Sequence, residues 1–296
     1  MLTVTNVTKK FGDLTAVCDL SFELAAGEVL GLVGQNGAGK STTFKMILNF
    51  LEPTAGSLSF LGHQLGPNDL NEIGYMSEER GLYMDMTIEQ QVVYFARLHG
   101  LTTKEAKARL GDWMDKLHVK GKVTSKIKEL SKGNQQKVQL ITTMIHEPKL
   151  LILDEPFSGL DPVNVAALIE VIKEARHKGA AVIFSSHNMQ NVTEVSDKVL
   201  MLVNGKRRLY GGLDQVRASF ERQKLYLEGD FDWQNFTGYQ AIKDDHPGKI
   251  LTFESEQQAR ACLEQVKNSP NLEGYRLLEP SLDDIFKMVL GGSKHE

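Results

Sequence analysis

Cysteine is scarce: the 296-residue chain contains only Cys18 and Cys262, far apart in the sequence. Two distant cysteines make neither a disulfide framework nor a zinc site, so we expect both to be packing residues in a reducing compartment. No apolar run approaches the length of a bilayer span, and the N-terminus lacks the apolar core of a signal peptide. The chain is therefore expected to stay in the cytoplasm, with any membrane role supplied by a partner.

A large excess of charge is also missing. The formal net charge is −4, which argues against a broad nucleic-acid-binding surface. The apolar fraction of 41% and the charged fraction of 24% are those of an ordinary folded protein rather than a disordered one. The length suits one large domain with an appendage, or two domains.

One glycine-rich stretch, GQNGAGKST, begins at Gly34 and fits the phosphate-binding pattern G-x-x-x-x-G-K-[ST]. Its glycines allow backbone N–H groups to approach a triphosphate closely, Lys40 would reach the β/γ-phosphates, and Ser41 would join a Mg²⁺ shell. The candidate phosphate-binding residues are Gly34, Gln35, Asn36, Gly37, Ala38, Gly39, Lys40, Ser41 and Thr42.

The context of this loop separates it from a plain glycine-rich turn. Val29–Val33 reads as a buried strand that enters the loop. Phe44, Ile47, Leu48 and Leu51 then follow at the spacing of an amphipathic helix, whose N-terminus would point at the phosphates. The chain is predicted to bind a nucleotide.

Two further buried strands deliver polar side chains to their ends. Leu150–Leu153 is followed by Asp154 and Glu155, and adjacent carboxylates at such a point favour a cation such as Mg²⁺. The strand 180–184 leads to Ser186 and His187. A lone histidine at a strand end is more often structural, but the expected position near the phosphates favours a functional role.

Helices and an appendage complete the pattern. Thr87 and Gln90 form a capping box at the start of a helix. A second helix with an apolar stripe follows, and then the helix 135–145. Residues 85–145 therefore read as a helical section that could move as a unit. Beyond residue 213 the texture changes to short strands near 225–227 and 250–253 and helices near 255–267 and after Ser281. We expect a small α+β domain at 222–296.

Taken together, these motifs resemble the ATP-binding subunit of ABC transporters over residues 1–213. Gly34–Thr42 matches the Walker A loop, and Leu150–Glu155 matches the Walker B strand with its catalytic glutamate. Residues 130–134 match the signature motif, 158–161 the D-loop, and His187 the switch histidine. The C-terminal part, with the sequence EPSLDDIF from Glu279, resembles the small domain found on many bacterial export-type subunits.

The resemblance implies an α/β fold: a P-loop NTPase core with a mainly parallel sheet, an antiparallel β part, a helical subdomain at about 85–145 and a small α+β C-terminal domain. It implies ATP and Mg²⁺ as cofactors and assigns Glu155 and His187 as catalytic, with Ser41, Asp154 and Glu78 as candidates at the metal. Further candidate nucleotide-binding residues are Phe11, Val17, Ser131, Gly133 and Asp161. Residue context alone favours a partly buried core position for Phe11, whereas the family places its adenine-stacking aromatic there.

Two departures from the family pattern matter. The signature is usually LSGGQ, and here Lys132 replaces the first glycine and Asn134 the glutamine, while Ser131 and Gly133 remain. Glu78 stands where the family has the glutamine of its Q-loop, within the charged cluster Glu78-Glu79-Arg80. An ionised glutamate offers acceptors only, so a metal contact and a solvated surface position are both open for Glu78.

The family further implies two cassettes that face each other head to tail, a separate membrane permease as partner, and a location on the inner face of the cell membrane, with no nucleic-acid partner. Transport is expected to be export, because of the C-terminal part. A soluble regulatory ATPase remains the alternative. Three other kinds of family member do not fit the sequence. A member that acts on ribosomes would be expected to carry two cassettes, and only one P-loop motif is present. A DNA-repair member would need a long heptad insertion, and a non-hydrolysing regulator should lack Glu155, which is in place.

Overall fold

The computed structural model describes residues 1–79 and 81–292, so Arg80 of the charged cluster and residues 293–296 of the expected C-terminal domain lie outside the described residues. The chain packs as two compact units that divide between Gly211 and Gly212. Each unit is organised on a sheet of its own. None of the helices in the described ranges is long and apolar enough to cross a bilayer.

The first sheet contains ten strands within the described residues, in the order β5-β4-β1-β2-β10-β9-β3-β8-β7-β6. In chain order the strands are β1 (Leu2–Phe11), β2 (Leu14–Leu24), β3 (Val29–Val33), β4 (Ala55–Phe60), β5 (His63–Gln64), β6 (Ile73–Met76), β7 (Leu150–Leu153), β8 (Ala181–Ser185), β9 (Lys198–Val203) and β10 (Lys206–Gly212). The run β6-β7-β8-β3-β9 is parallel. The pairs β1–β2, β1–β4 and β4–β5 are antiparallel.

The parallel strands place the chemically interesting loops at one edge. Strands β3, β7 and β8 are buried at every residue, as expected for strands covered on both faces. In the register of the sheet, Leu153 pairs with Phe184 and Leu32 pairs with Ser185. The carboxyl ends of these three strands therefore lie side by side, which is where α/β proteins bind their ligands.

Six helices belong to this unit: α1 (Lys40–Ile47), α2 (Ile88–Leu98), α3 (Thr103–Lys116), α4 (Lys132–Met144), α5 (Pro162–His177) and α6 (Met189–Val195) among the described residues. The predicted capping box is present, since the Thr87 side chain accepts from the Gln90 N–H and Gln90 reaches back to Thr87. Helix α2 packs against α3 and α4, which gives the stretch expected to be helical its own small bundle. Helix α1 ends at Ile47 instead of continuing to Leu51, and Asn49 adopts a left-handed backbone conformation.

The second unit has a four-stranded antiparallel sheet in its described part, in the order β12-β13-β11-β14. Its elements are α7 (Leu213–Ala218), β11 (Lys224–Gly229), β12 (Ala241–Asp245), β13 (Gly248–Thr252), α8 (Glu256–Val266), β14 (Leu272–Leu278) and α9 (Leu282–Gly292). Leu225, Leu227, Leu251 and Phe253 form its core with α8. Cys262 is buried in this core and Cys18 is partly buried, both as free thiols, in agreement with a packing role.

Candidate nucleotide site

The glycine-rich loop joins β3 to α1 and packs tightly against neighbouring backbone. Gly39 adopts φ 104°, in the left-handed region, and a Cβ there would lie 2.7 Å from the Ala16 carbonyl oxygen. A Cβ on Gly34 would lie 2.6 Å from the carbonyl oxygen of Leu202. Both glycines are therefore required by close approach, and the loop is held by strands of the core.

Lys40 is the charged residue of this loop, and only 8% of it is exposed. Its ammonium group donates to the carbonyl oxygens of Gly34 at 2.8 Å and Gln35 at 3.3 Å. The side chain therefore curls back along the loop, where a phosphate held by the loop would meet it. Next to it, the Ser41 hydroxyl donates to Asp154 Oδ2 at 3.3 Å, which links the loop to the end of β7.

The end of β7 is fixed by Ser185, the last residue of the adjacent strand β8. The Ser185 hydroxyl donates to Asp154 Oδ1 at 2.7 Å and accepts from the Glu155 N–H at 2.8 Å. Asp154 is 6% exposed, and its own N–H donates to the Met76 carbonyl of β6. Sequence reasoning missed this role of Ser185; the available signal was a hydroxyl at the end of a buried strand beside the carboxylates.

Glu155 has an unusual backbone for a residue with a side chain, with φ 47°. Such a conformation costs on the order of 1–3 kcal/mol and tends to be kept where function requires it. The Glu155 Oε2 atom lies 2.9 Å from Nδ1 of His187, whose side chain is 74% exposed. The two predicted catalytic side chains are thus in contact, at the edge where β7 and β8 end.

These groups surround a single cavity of about 370 Å³. One side consists of Ala16 and the loop from Asn36 to Thr42. The other side consists of Glu78, Asp154, Glu155 and His187. A compact set of N–H groups and a lysine thus faces a set of carboxylates across a space that can hold a phosphate chain.

Some predicted residues lie beside this cavity rather than in its lining. Gly34 and Gln35 support the loop through their contacts with Lys40. Val17 is completely buried in the core. Phe11 lies at the turn between β1 and β2 and is 46% exposed, with the Lys9 ammonium 5.2 Å from the ring centroid. The expectation of a partly buried core position for Phe11, based on residue context alone, is therefore wrong.

The signature and D-loop residues form a second surface. Among the described residues, none of them lines the P-loop cavity, the cavity beside the glycine-rich loop. Ser131 is the exposed N-cap of α4, and its hydroxyl accepts from the Asn134 side chain at 3.0 Å. Asn134 Oδ1 in turn accepts from the Lys120 N–H at 2.9 Å. Asn134, a departure from the family pattern, thus ties the start of α4 to the loop that follows α3.

Gly133 and Asp161 lie close to each other on this surface. Asn164 donates to the Asp161 carboxylate through its N–H at 3.0 Å and its side chain at 2.6 Å. These hydrogen bonds lower the pKa of Asp161 and keep it ionised. A Cβ on Gly133 would lie 3.2 Å from Nδ2 of the same Asn164.

The donor set fits Mg²⁺ held together with a triphosphate. In the described ranges, no group of three or more acidic, histidine or cysteine side chains could hold a metal ion. Ser41 and Asp154 nevertheless bring one hydroxyl and one carboxylate oxygen within 3.3 Å of each other beside the loop. Mg²⁺ usually takes one or two protein ligands and completes its shell with phosphate oxygens and water.

This fold and this cavity define a P-loop nucleotide-binding protein. The family model of the ABC transporter matches residues 17–158, and that of the C-terminal domain of DrrA1-3-like ATP-binding proteins matches residues 211–290. An uncharacterized ABC transporter ATP-binding protein of Bacillus subtilis, YhaQ, is 40% identical over 98% of this chain and 99% of its own length. The linearmycin resistance ATP-binding protein LnrL of the same organism is 32% identical over 70% of this chain and 67% of its own length.

Solved structures agree with these sequence relationships. The structure of an ATP-binding subunit of an ABC transporter superimposes with a TM-score of 0.70 at 34% identity, over 74% of this chain and 93% of that one. A dimeric ATP-binding cassette in a post-hydrolysis state, bound to ADP and Pi, has the same fold, with a TM-score of 0.65 at 20% identity over 72% and 99% of the two chains. The chain belongs to the family of ABC transporter ATP-binding proteins, which are ATPases, and the predicted fold class is confirmed.

Proposed function

We propose that the chain binds Mg–ATP in the P-loop cavity and that two cassettes close over the nucleotides to drive a separate membrane permease. The main support is one cavity at the ends of β3, β7 and β8, which is surrounded by Lys40, Ser41, Asp154, Glu155 and His187. These are the groups needed to hold a triphosphate and to activate water beside it.

Each residue has a role that follows from its position. The N–H groups of the loop from Gly34 to Thr42 wrap the phosphates, and Lys40 supplies positive charge. The exposed ring of Phe11 stacks on adenine. Val17 supports the loop from the core, since a Cβ on Gly39 would lie 3.2 Å from its side chain. Ser41 and Asp154 hold Mg²⁺, with Glu78 as a further contact in the Mg–ATP state. The ion supplies charge neutralisation at the phosphates.

Hydrolysis needs a group that accepts the proton of the attacking water. Glu155 takes this role, because it is mostly buried, aimed into the cavity, and fixed by Ser185 through its backbone N–H. His187 contacts the Glu155 carboxylate and orients it, and its exposed ring is placed to sense the γ-phosphate.

The second surface acts on the nucleotide of another cassette. Ser131 at the N-terminus of α4, with Gly133 and Asp161, is exposed and separate from the lining of the P-loop cavity. A hydroxyl and free N–H groups at a helix N-terminus bind an anion. Each ATP then lies between the P-loop of one chain and the signature residues of another, which is identical or a paralogue; a dimeric cassette of the same fold supports this arrangement.

The remaining assignments follow from this cycle. Residues 1–213 form the ATP-binding domain, with residues of about 85–145 transmitting closure to the permease, and residues 222–296 form the C-terminal domain. The protein lies on the inner face of the cell membrane through that permease. The direction is export, supported by the similarity to the linearmycin resistance protein and by the DrrA-like match.

Glu155→Gln tests the central step. The variant should bind ATP like the parent but lose at least about 100-fold in turnover, because the amide cannot accept the proton. It should also accumulate an ATP-bound dimer visible in size-exclusion chromatography. Glu170→Gln, an exposed glutamate on α5, is the matched control and should hydrolyse normally. Parent-like hydrolysis by Glu155→Gln would show that another group is the base.

A further inference from the structure

The two main departures from the family pattern meet in one cavity. Glu78, after β6, and Lys132, the first residue of α4, both line a space of about 520 Å³ together with Asp154 and Glu155. This space adjoins the P-loop cavity, because Glu78, Asp154 and Glu155 line both. A residue of the signature motif thus lies on the far side of the same carboxylates that face the nucleotide.

The charges around this cavity are unbalanced without Lys132. Three of the described lining residues are carboxylates, and Lys132 is the only basic one among them. Nearby, burial raises the pKa of Tyr75 to about 12, and the negative charges of Asp154 and Glu78 add to the shift in the same direction. A glutamine at position 78 would leave one negative charge fewer.

The position of Lys132 in α4 is unfavourable by itself. A cation in the first turn of a helix opposes the helix dipole, and this first turn carries no acidic residue. A negative charge outside the helix offsets this cost. The carboxylates across the cavity supply the negative charge that the helix lacks. In the described part of the chain, neither Lys132 nor Glu78 forms an ion pair, with each other or with another residue, so Lys132 faces the carboxylates across the cavity rather than in direct contact.

Hydrogen bonds orient α4 so that Lys132 faces these carboxylates. The Gln136 side chain donates to the Pro156 carbonyl at 2.7 Å, and the Gln139 side chain donates to the Ser77 carbonyl at 2.9 Å. Residues 132, 136 and 139 share one face of a helix. This face is therefore bound to the segment after Glu155 and to the residue before Glu78.

We propose that Lys132 is the positioning counter-charge of Glu78: it offsets the carboxylate beside the triphosphate, and the two departures work as a pair. The pair rests on the ATP site proposed above. It makes an acidic residue compatible with ATP at a place where the family has a neutral glutamine, and it leaves Glu78 able to contact Mg²⁺ once Mg–ATP is bound.

The test is a double-mutant cycle measured by binding. A fluorescent ATP analogue is titrated, with Mg²⁺ and with EDTA, into the parent, Lys132→Gly, Glu78→Gln and the double variant. Lys132→Gly should raise the Kd for metal-free nucleotide about three- to tenfold, as expected for unit charges separated by several ångströms near a protein surface. Mg–nucleotide, which carries less charge, should be affected less. The double variant should return to the parent Kd.

Matched variants make the result decisive. Lys132→Arg keeps the charge and should bind like the parent, whereas Lys132→Gln removes it without a helix glycine and should behave like Lys132→Gly. Lys122→Gly removes an exposed lysine of the same section and should change nothing. Equal losses for Lys132→Gly with Glu or Gln at position 78, or no loss at all, would overturn the pair.

The ATP site itself is checked in the same titration with Lys40→Ala. Parent-like binding by Lys40→Ala would count against the site, independently of the pair. Lost binding by Lys40→Ala together with an uncoupled cycle would leave the site intact and reject only the link between Lys132 and Glu78.

Discussion

Two surfaces of the large unit are constructed in different ways. The P-loop surface is the lining of the P-loop cavity, and the signature surface is the second surface, formed by the signature and D-loop residues. Lys40 and Asp154 are buried, and backbone carbonyls and Ser185 at the ends of core strands fix them. Ser131 and Asp161 are exposed, and side chains a few residues away hold them. The first surface depends on the core, and the second depends on local hydrogen bonds.

This difference accounts for two of the departures from the family pattern, Lys132 and Asn134. The P-loop matches its pattern throughout, because a side chain at Gly34 or Gly39 would collide with backbone. The signature surface accommodates Lys132 and Asn134, since both lie at the exposed start of a helix. Variation is tolerated where the supporting contacts are local.

Lys40→Ala should give the largest effect, because it removes the positive charge from the better-fixed surface. We expect at least about a 100-fold loss in affinity for Mg–ATP, as typical for losing a charge-assisted contact to phosphate. A titration with a fluorescent ATP analogue measures it. Lys45→Ala, an exposed lysine on the same helix, should bind normally, and unchanged affinity for Lys40→Ala would refute the P-loop assignment.

Asn134→Ala should act on the signature surface alone. It removes the contacts with Ser131 and with the Lys120 N–H, so the N-cap of α4 becomes less well fixed. Binding of ATP to the monomer should remain unchanged, while ATP-dependent dimerisation of the Glu155→Gln form weakens about three- to tenfold, in line with the loss of one exposed hydrogen-bond network.

Asn134→Gln, which introduces the family residue, provides the control for that variant and should retain more of the dimer. Analytical ultracentrifugation with and without ATP separates the two quantities. If Asn134→Ala weakened monomer binding as much as dimerisation, the effect of Asn134 would not be confined to the signature surface.

Glu78→Ala should have the smallest effect. At saturating ATP, the ATPase rate plotted against Mg²⁺ concentration should move about two- to fivefold toward higher Mg²⁺, as expected from losing one oxygen ligand of several. Glu78→Gln should recover part of the shift, because its carbonyl can still accept. Superimposable curves for the three proteins would exclude a metal contact and leave Glu78 as a carboxylate of the cavity lining without a role at the ion.

The sequence patterns predicted the buried strands and the loop in which close contacts require glycine. Strands β3 and β7 were readable as continuous apolar runs, and Thr87 and Ser131 as helix caps. Strand β12 was not predictable, because all of its residues are exposed; backbone pairing with β13 and the ion pair between Asp244 and Lys249 hold it.

The roles of Ser185 and Asn134 were equally hidden from the sequence. Ser185 bridges Asp154 and Glu155 only because β7 and β8 are adjacent in register. Asn134 reaches the Lys120 N–H only because α3 and α4 pack together. Such contacts join residues distant in the chain, and no local pattern encodes them.

Because the backbone of Glu155 is left-handed, the residue that would be most stable at this position differs from the one that hydrolysis requires. Glycine adopts φ 47° without the strain that any side chain pays, so Glu155→Gly should relieve on the order of 1 kcal/mol while removing the carboxylate. A screen for thermal stability alone would therefore favour inactive protein at this position. Enrichment of glycine at residue 155 in such a screen would identify the strained conformation as a cost that function maintains.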